Sequence, residues 1–414
     1  MEKLAIIGTG IAGMGCAHLL QKRYDLTLFE KNTYTGGHTN TITVDEQGQS
    51  VSFDTGFMVF NYQTYPQLCK LFEAIKAPVK KTDMSFSVQH VPSGLEYCGS
   101  GFNGLFAQRR NLFNRSFIRM LKDINRFNSE SIRILDDPEF ASLSLRDFVH
   151  AFGFGPDILW KYLIPMSSAV WSTPMDKMLD FPAQTLIRFF YNHGFLGLNT
   201  QHQWYTVENG SQSYRELLIA PFRHRIRNKM GVHQVGLRED KVLVKTTAGD
   251  EFMFDKVIFA CHADQALALI EKPENLQQLL LQPFKYQENI ATIHTDERLM
   301  PGNKRAWSSW NYRIVEERKE LRPSTIYWMN RLQGLKQKKN YFVSISDPAT
   351  VNEAKVISRI SYEHPLFDVA AVQAQKDLHR LNETGPLYFC GSYFNYGFHE
   401  DAYASAVELS EKIQ

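Results

Sequence analysis

The chain has 414 residues, of which 43% are apolar and 22% are charged, a composition typical of a globular protein with two or three domains. Its formal net charge of +2 lacks the strong basic excess that most nucleic-acid-binding proteins carry, so we expect no nucleic acid partner. No run of about 18 apolar residues occurs in the sequence, which disfavours a membrane-spanning helix.

The cysteines and the first predicted strand favour one cellular compartment for the protein. The 5 cysteines have no CxxC motif and no metal-ligand spacing, so we expect a reducing compartment and no metal site. They are Cys16, Cys69, Cys98, Cys261 and Cys390. The first predicted strand begins at Lys3 and leaves no room for a targeting segment, so we expect a cytoplasmic protein.

The first predicted element is an apolar strand, KLAIIG, followed by a glycine turn with GxGxxG spacing. Gly8 permits a tight turn, Gly10 lets the backbone approach a pyrophosphate, and Gly13 lets the next helix pack closely on the sheet. That helix begins near Ile11 and directs free N–H groups and its positive dipole end at phosphates. The pattern predicts a dinucleotide site.

Glu30 ends the next apolar run, YDLTLFE, and lies 22 residues after Gly8. An acid at this position accepts hydrogen bonds from the adenosine ribose and repels a 2′-phosphate, which disfavours NADP. The alternative is a glycine turn in some other α/β fold. The strand, the helix and the acid together favour the dinucleotide site.

A second glycine pair stands in GGHTNT, residues 36–41, just beyond the acid. An NAD site does not need it, whereas FAD extends further and requires a second backbone segment close to its pyrophosphate and ribitol. Gly36 and Gly37 make that approach feasible. The alternative is a hairpin turn, because a glycine pair is also good turn chemistry.

The C-terminal segment PLYFCGSYFNYGFHEDAYASAVELSEKI predicts a buried strand from Leu387 to Cys390, a loop, and a helix that starts near Glu400. An apolar stripe supports the helix, and it consists of Ala402, Ala406, Leu409 and Ile413. The positive end of this helix would stabilise the negative charge of a reduced flavin. First and last segments that build one nucleotide site are typical of glutathione-reductase-like flavoproteins, so we expect FAD.

The motifs GTGIAG, GGHTNT, FDTGFMVFN and GFHEDA, together with Glu30, resemble those of the FAD-dependent amine oxidase and phytoene desaturase superfamily. Further segments are similar to a bacterial group of amine-oxidase-like, NAD/FAD-binding proteins. This group is associated with cyclopropane-fatty-acyl-phospholipid synthases and includes desaturases of methylated fatty acyl chains. The segments are FDTGFMVFNYQTYPQLCKLF, TDMSFSV, RAWSSWNY, IYWMNRLQ, EHPLF and the GFHED tail.

The resemblance implies a non-covalent FAD and a set of cofactor contacts. Gly56 to Val59 should lie close to the flavin ring, Val232 should hold the adenine by its backbone, Gly391 should face the pyrophosphate or ribitol, and the His399 N–H should meet the flavin C2 oxygen. The full expected set is Gly8, Gly10, Ile11, Ala12, Gly13, Glu30, Lys31, Gly36, Gly37, His38, Thr55, Gly56, Phe57, Met58, Val59, Val232, Ala260, Cys261, Gly391, Ser392, His399, Glu400, Asp401 and Ala402.

The sequence departs from the superfamily pattern at two places. His38 stands where the superfamily usually has arginine, and Asp401 and Ala402 replace a more usual Gly-Ala or Asp-Gly. Neither change removes a backbone donor, so we expect cofactor binding to survive. Glu400 is interpreted as a helix N-terminal carboxylate rather than a base.

The fold class predicted is α/β (α+β overall), with a glutathione-reductase-like Rossmann FAD-binding domain and an inserted helical plus β-sheet substrate domain. Residues 1–65, 205–285 and 375–414 should form the FAD-binding domain, and residues 66–204 and 286–374 the substrate domain. The segment VHQVGLREDKVLVKTTAGDEFMFDKVIFAC predicts a three-stranded meander and then a buried strand. Residues 66–204 should be largely helical, and the runs STIYWMN and NYFVSIS should be strands.

A basic amphipathic helix is predicted in NLFNRSFIRMLKDINRF. Arg115, Arg119, Lys122 and Arg126 share one stripe, and the opposite side carries Phe113, Phe117, Met120, Ile124 and Phe127. Such a helix suits peripheral contact with anionic lipid on the inner membrane face. A helix that packs on the protein with a solvated charged face fits the pattern equally.

The composition favours an apolar substrate, because 29 Phe, 18 Tyr and 6 Trp occur without an obvious group of carboxylates to receive an amine. With the resemblance, this predicts a dehydrogenase or desaturase that acts on methylated or unsaturated fatty acyl chains of lipids. Two alternatives stay open. One is a flavin amine oxidase, and the other is a non-redox FAD protein that assists a lipid methyltransferase or isomerises without net oxidation.

Four residues are candidates for the catalytic site. Tyr393 and Tyr396 lie in the loop GSYFNYGF before the last helix, where they would shape the substrate pocket, relay a proton or simply pack. Trp310 and Asn311 in WSSWNY are candidates for the substrate face. The lysine that reaches flavin N5 through water in many amine oxidases has no assignable counterpart.

Overall fold

The computed structural model describes residues 1–197, 200–345 and 351–413 of the chain. The strands are β1 (Lys3–Ile7), β2 (Asp25–Phe29), β3 (Thr41–Glu46), β4 (Gln49–Asp54), β5 (Phe60–Asn61), β6 (Val79–Thr82), β7 (Phe86–His90), β8 (Leu95–Cys98), β9 (Trp204–Val207), β10 (Ile226–Arg227), β11 (Val232–Arg238), β12 (Lys241–Thr246), β13 (Glu251–Phe254), β14 (Lys256–Phe259), β15 (Lys285–His294), β16 (Trp310–Glu317), β17 (Glu320–Trp328), β18 (Phe342–Ile345), β19 (Val356–Leu366) and β20 (Leu387–Phe389).

The helices complete the element list. They are α1 (Ile11–Leu20), α2 (Pro66–Ala74), α3 (Gly101–Leu105), α4 (Arg115–Glu130), α5 (Leu145–Ala151), α6 (Pro156–Ile158), α7 (Ile164–Trp171), α8 (Met175–Met178), α9 (Ala183–Asn192), α10 (Gln212–Ile219), α11 (Ala263–Leu269), α12 (Asn275–Leu281), α13 (Met329–Leu332), α14 (Val369–Gln375) and α15 (His399–Lys412). None of the helices in the described ranges combines the length and hydropathy that a bilayer span requires.

A five-stranded parallel sheet organises the molecule, with the strand order β10-β2-β1-β14-β20. Its strands are short apolar runs because both faces are covered, and Leu4, Ala5 and Ile6 of β1 are fully buried. The strands come from all three segments predicted for the FAD-binding domain, whose exact boundaries stay a prediction. Because parallel strands end at one edge, Gly8, Glu30, Ala260 and Gly391 are brought to the same side of the sheet.

The antiparallel meander predicted before the buried strand is confirmed. Strands β11, β12 and β13 form a three-stranded sheet in that order, and β14 follows directly and joins the central parallel sheet. The last helix is confirmed too, since α15 begins at His399.

A second large sheet has seven strands in the order β19-β15-β18-β17-β16-β7-β8. Strand β16 pairs in parallel with β7, and the other pairs are antiparallel. Residues 324–328 of the run STIYWMN belong to β17, and Phe342–Ile345 of NYFVSIS form β18, as predicted. Met329 and Asn330 instead begin α13, and Ser346 lies outside the described residues. Helices α5 to α9 pack into the same apolar core as Tyr312 and Ile314 of β16.

The basic amphipathic helix is present as α4, with one correction. The Asn114 side chain accepts hydrogen bonds from the backbone N–H groups of Ser116 and Phe117, so the helix begins at Arg115. Phe117, Met120 and Phe127 are buried as predicted. The prediction for Phe113 was wrong, because this residue precedes the helix and its side chain is 89% exposed.

Candidate active site

The glycine turn after β1 exposes its backbone to a cavity at Gly10 and packs against α1 at Gly13. Gly8 has φ +102°, a conformation that favours glycine. A Cβ atom at Gly13 would lie 2.0 Å from the Gly8 carbonyl oxygen, so only glycine lets α1 pack on the turn. A Cβ atom at Gly10 would meet no protein atom within 4 Å. Gly8, Gly10, Ile11 and Ala12 line a large cavity, and Gly13 lies behind them.

Glu30 is buried at the end of β2, and its carboxylate is held by the glycine turn. Its Oε2 atom accepts hydrogen bonds from the Thr9 hydroxyl at 2.5 Å and from the Thr9 backbone N–H at 3.2 Å. Its Oε1 atom accepts the Asn32 backbone N–H at 2.9 Å. Glu30 and Lys31 both line the cavity. Thr9 is not among the residues predicted for the site, although a short polar side chain between the first two glycines is a signal for it.

The second glycine pair approaches the first. A Cβ atom at Gly37 would lie 3.2 Å from Gly10 Cα, so the two turns are almost in contact at the N-terminus of α1. The hairpin alternative is wrong, because the pair connects β2 and β3, which belong to different sheets. Gly37 lines the cavity, whereas Gly36 (φ +134°) supports the turn from behind.

His38 follows this pair and lines the cavity. Its ring stacks on Tyr362 at a centroid distance of 4.9 Å, and His364 lies 5.3 Å away. Its Nε2 atom is buried and has no hydrogen-bond partner among the described residues. Burial lowers the pKa of His38 well below its usual value, and His364, His262 and His399 contribute in the same direction.

The segment from Thr55 to Val59 runs alongside His38. The Phe57 backbone N–H donates to the His38 carbonyl oxygen at 2.8 Å, and a Cβ atom at Gly56 would lie only 2.2 Å from that oxygen. Gly56, Phe57, Met58 and Val59 line the cavity. Thr55 lies behind the lining, where its hydroxyl is 2.7 Å from the Tyr362 hydroxyl.

The C-terminal segment closes the same cavity. Gly391, Ser392, His399 and Ala402 line it, and a Cβ atom at Gly391 would lie 2.6 Å from the ring of Tyr393. Head and tail are packed tightly, since Cys16 Sγ of α1 lies 3.6 Å from Cys390 Sγ.

His399 connects the tail to the segment around Phe57. Its ring stacks on Phe57 at 3.9 Å, and its Nε2 atom lies 2.5 Å from the Tyr214 hydroxyl. Burial lowers the pKa of His399 to about 3, so its side chain is neutral at physiological pH. The geometry leaves α15 with its N-terminus at the cavity.

The two acids after His399 do not line the cavity. The Glu400 carboxylate accepts the backbone N–H groups of Gln67 and Leu68 at 2.9 Å each, which places it at the N-terminus of α2. Asp401 accepts the Phe398 backbone N–H at 2.8 Å, and burial raises its pKa to about 7. Both act on helix ends, as the interpretation of Glu400 anticipated.

Three further predicted residues line the cavity where strands begin or end: Val232 at the start of β11, and Ala260 and Cys261 just after β14. Burial raises the pKa of the Cys261 thiol to about 12, and Cys390 is fully buried against Cys16. Neither thiol is poised as a nucleophile. The non-covalent attachment of the flavin stays a prediction.

The cavity has a volume of about 1280 Å³ and extends beyond the glycine turns and strand ends described above. Its other side is an apolar wall of aromatic and aliphatic side chains. Trp310 of this wall was predicted for the substrate face, whereas no motif marks the other members. The residues of this apolar wall are Met84, Val170, Trp171, Phe189, Phe195, Trp204, Trp310, Tyr327 and Leu332. It meets the tail where the Phe189 ring stacks on Phe398 at 5.2 Å and the Trp171 Nε1–H donates to the Tyr396 carbonyl oxygen at 3.0 Å.

The four catalytic candidates separate into two groups. Trp310 and Tyr393 line the cavity, and the buried Tyr393 hydroxyl has no hydrogen-bond partner among the described residues. Asn311 lies outside the lining, since its amide oxygen accepts from Ser87 Oγ and from the Ser308 backbone N–H. The Tyr396 side chain also lies outside the lining.

These residues fit an FAD molecule. Two glycine turns in near contact leave room for a pyrophosphate at the N-terminus of α1, and a buried carboxylate at β2 suits a ribose. The unpartnered His38 Nε2 and Tyr393 hydroxyl are polar atoms that a bound cofactor can satisfy.

Comparison with known proteins agrees with this geometry. Residues 11–320 match the family model of flavin-containing amine oxidoreductases. A search of curated proteins found no match to the sequence.

Solved structures share the fold at low sequence identity. The chain is similar to wild-type putrescine oxidase bound to putrescine (13% identity, TM-score 0.67, 99% of this chain and 98% of that chain covered). It is similar to the CLA-producing fatty acid isomerase from P. acnes (12%, TM-score 0.68, 100% and 98% covered). It is also similar to cyclohexylamine oxidase from Brevibacterium oxydans (12%, TM-score 0.67, 99% and 99% covered). The predicted fold class is confirmed, and the chain belongs to the flavin-containing amine oxidoreductase family as an FAD-dependent oxidoreductase.

Proposed function

We propose that this enzyme oxidises a fatty acyl chain of a lipid, as a dehydrogenase or desaturase. The observation that supports the proposal is the apolar wall, whose aromatic and aliphatic side chains offer contacts to a long hydrocarbon chain. One of the structural neighbours is named as a fatty acid isomerase, so the fold accommodates acyl substrates.

The carboxylates of the cavity argue against an amine substrate. Those in the described lining are Glu30, Glu288 and Glu363. Glu30 is held by Thr9, Glu288 accepts the Ser361 hydroxyl at 2.6 Å, and Glu363 lies 3.5 Å from His262. Each is engaged with the protein, and none belongs to the apolar wall. A charged ammonium group in that wall would be desolvated without a counter-ion.

A bound FAD would accept both electrons and both hydrogens that the acyl chain loses on desaturation, so the reaction would need no further oxidant in a single turnover. The protein positions the chain and excludes water. Trp171 and Phe189 contact the tail loop directly, so a chain on the apolar wall reaches the N-terminus of α15.

Anaerobic mixing tests the proposal. Phospholipids with unsaturated or methylated acyl chains should bleach the flavin band at about 450 nm in a single turnover, because FAD itself is then the oxidant. Bleaching by amines in the absence of lipid would instead identify an amine oxidase. A flavin that stays oxidised with every substrate, while the protein changes the activity of a lipid methyltransferase, would identify the non-redox alternative.

A paired substitution tests the apolar wall. Val170→Asp places a carboxylate in the wall and should slow bleaching by lipid at least about tenfold, because the acyl chain would have to desolvate a charge. Leu279→Asp is the matched control, since Leu279 is 66% exposed on α12. Equal rates in both variants would contradict acyl binding at this wall.

A further inference from the structure

A second groove lies outside the active site, beside the start of α4. It has a volume of about 410 Å³ and shares no lining residue with the large cavity. Its lining combines apolar and cationic side chains, and consists of Leu112, Phe113, Arg115, Ile118, Arg119 and Lys122. We call these six residues the α4 groove.

Phe113 projects from the groove into solvent. Its side chain is 89% exposed, the largest fraction among the large apolar side chains of the described residues. Phe102 of α3 is another exposed aromatic at 63%, and its ring lies 4.8 Å from Phe106, which in turn lies 5.9 Å from Phe117 of α4. Exposed aromatic area of this kind is commonly covered by a partner or a membrane.

The cations of the groove are not neutralised within the described parts of the chain. Arg115, Arg119 and Lys122 are exposed and form no ion pair there. The neighbouring acids are otherwise engaged, since Asp123 accepts the Gly155 backbone N–H at 3.3 Å and Asp157 binds the Lys161 ammonium at 2.6 Å. The groove therefore presents three positive charges around an apolar centre.

Arg126, which the sequence places on the same stripe, does not belong to the groove. Its guanidinium donates to the Gly153 carbonyl oxygen at 3.0 Å and lies 4.3 Å from the centre of the Phe154 ring. The helix is thus packed on the protein at its C-terminal end and presents the groove at its N-terminal end.

We propose that the α4 groove docks the protein on an anionic lipid bilayer. Phe113 enters the interfacial region, and Arg115, Arg119 and Lys122 meet lipid phosphates at the surface. A projecting aromatic flanked by cations fits a bilayer better than a nucleic acid or an acidic protein. Cations alone would bind the phosphates or carboxylates of those partners, and the exposed Phe113 ring would have no role. The proposal adds to the proposed function and does not depend on it, because docking is measured without turnover.

Sedimentation with vesicles tests the docking. The holoenzyme should bind vesicles that contain about 30 mol% phosphatidylglycerol and not vesicles of phosphatidylcholine alone. The triple variant Arg115→Gln, Arg119→Gln, Lys122→Gln should bind about one hundredfold more weakly, at about fivefold per charge. The matched control, Lys336→Gln, Lys338→Gln, Lys339→Gln, removes as many exposed charges elsewhere and should bind as the wild type.

A single substitution tests the apolar part of the groove. Phe113→Ser should weaken vesicle binding about tenfold, whereas Leu279→Ser, at another exposed apolar site, should not. Retained flavin absorbance shows that each variant is folded. Equal losses in the groove variants and their controls would overturn the proposal. Binding of a heparin fragment without binding of vesicles would also overturn it, in favour of a soluble polyanion.

Discussion

His38 is a partly buried histidine beside the N-terminus of α1, and its buried Nε2 atom has no partner among the described residues. The groups that face it are His364, His262, His399 and the Tyr362 ring. Without a ligand, burial and these histidines keep it neutral. A pyrophosphate nearby would reverse that balance, because two negative charges favour the imidazolium form. The superfamily resemblance implies a permanently charged arginine at this position, where this chain has a titratable histidine.

FAD affinity should therefore depend on pH through His38. Binding that raises the pKa of His38 takes up a proton, so the dissociation constant should rise by up to about tenfold between about pH 6 and pH 8. His38→Gln should flatten this dependence, as measured by fluorescence titration of the cofactor-free protein with FAD. His364→Gln serves as the control. An unchanged slope in His38→Gln, or a flat slope only in His364→Gln, would contradict the assignment.

At the scale of single elements, the turn between β1 and α1 needs glycine for two different reasons: Gly13 for packing within the protein and Gly10 for the approach of a ligand. Gly13→Ala places a Cβ atom 2.0 Å from the Gly8 carbonyl oxygen and should destabilise the protein by about 2 kcal/mol or more. Gly10→Ala meets no protein atom within 4 Å, so the cofactor-free protein should keep its stability to within about 0.5 kcal/mol.

In FAD affinity, Gly10→Ala should show a direct effect although its stability is unchanged. Gly10→Ala directs its Cβ into the cavity and should weaken FAD at least about tenfold, as measured by titration of the folded protein. Urea unfolding of both cofactor-free variants gives their stabilities. A Gly10→Ala protein that binds FAD as the wild type does would show that no ligand approaches this turn.

Elements with local signals could be predicted from the sequence, and surfaces between elements could not. The glycine turns, the meander and α15 follow from spacing and periodicity within a few residues. The apolar wall depends on which faces of α7 and α9 turn towards the tail, and nothing near Trp171 or Phe189 in sequence indicates that. The predicted place of Asn311 at the substrate face was wrong. The parallel pairing of β16 with β7 buries this residue, and no sequence signal indicates that pairing. Phe113 departs from the predicted helix because Asn114 caps the N-terminus of α4 and leaves the preceding residue outside it.

The described residues include several buried or partly buried histidines that have neutral side chains in the folded state. Burial lowers the pKa of His193, His294 and His364 to about 4 and that of His399 to about 3. In the unfolded chain they bind protons below about pH 6.5, whereas in the folded chain they do not. The unfolded state thus binds more protons between about pH 4 and 6.5, and stability rises with pH in that window. Asp401, with its pKa raised to about 7, opposes this effect, as do Asp54 and Glu400, whose pKa values are also raised by burial.

The cofactor-free protein should therefore lose stability as the pH is lowered from about 6.5 to 4.5, by up to about 1.4 kcal/mol per pH unit for each such histidine. The urea midpoint at several pH values measures the slope. His294→Asn should reduce the slope, even if it also lowers the stability at neutral pH, because one proton-linked group is removed. A slope equal to that of the wild type would show that His294 is not held neutral by burial.

The first and last segments of the chain must close around one FAD molecule if they build a single site. Hydrogen exchange of the cofactor-free and FAD-loaded protein, followed by mass spectrometry, tests this most directly. FAD should slow amide exchange together in residues 8–13, 36–38 and 391–402, and leave the exposed turn at residues 112–115 unchanged. Protection confined to the N-terminal segments, with none in residues 391–402, would contradict the shared site.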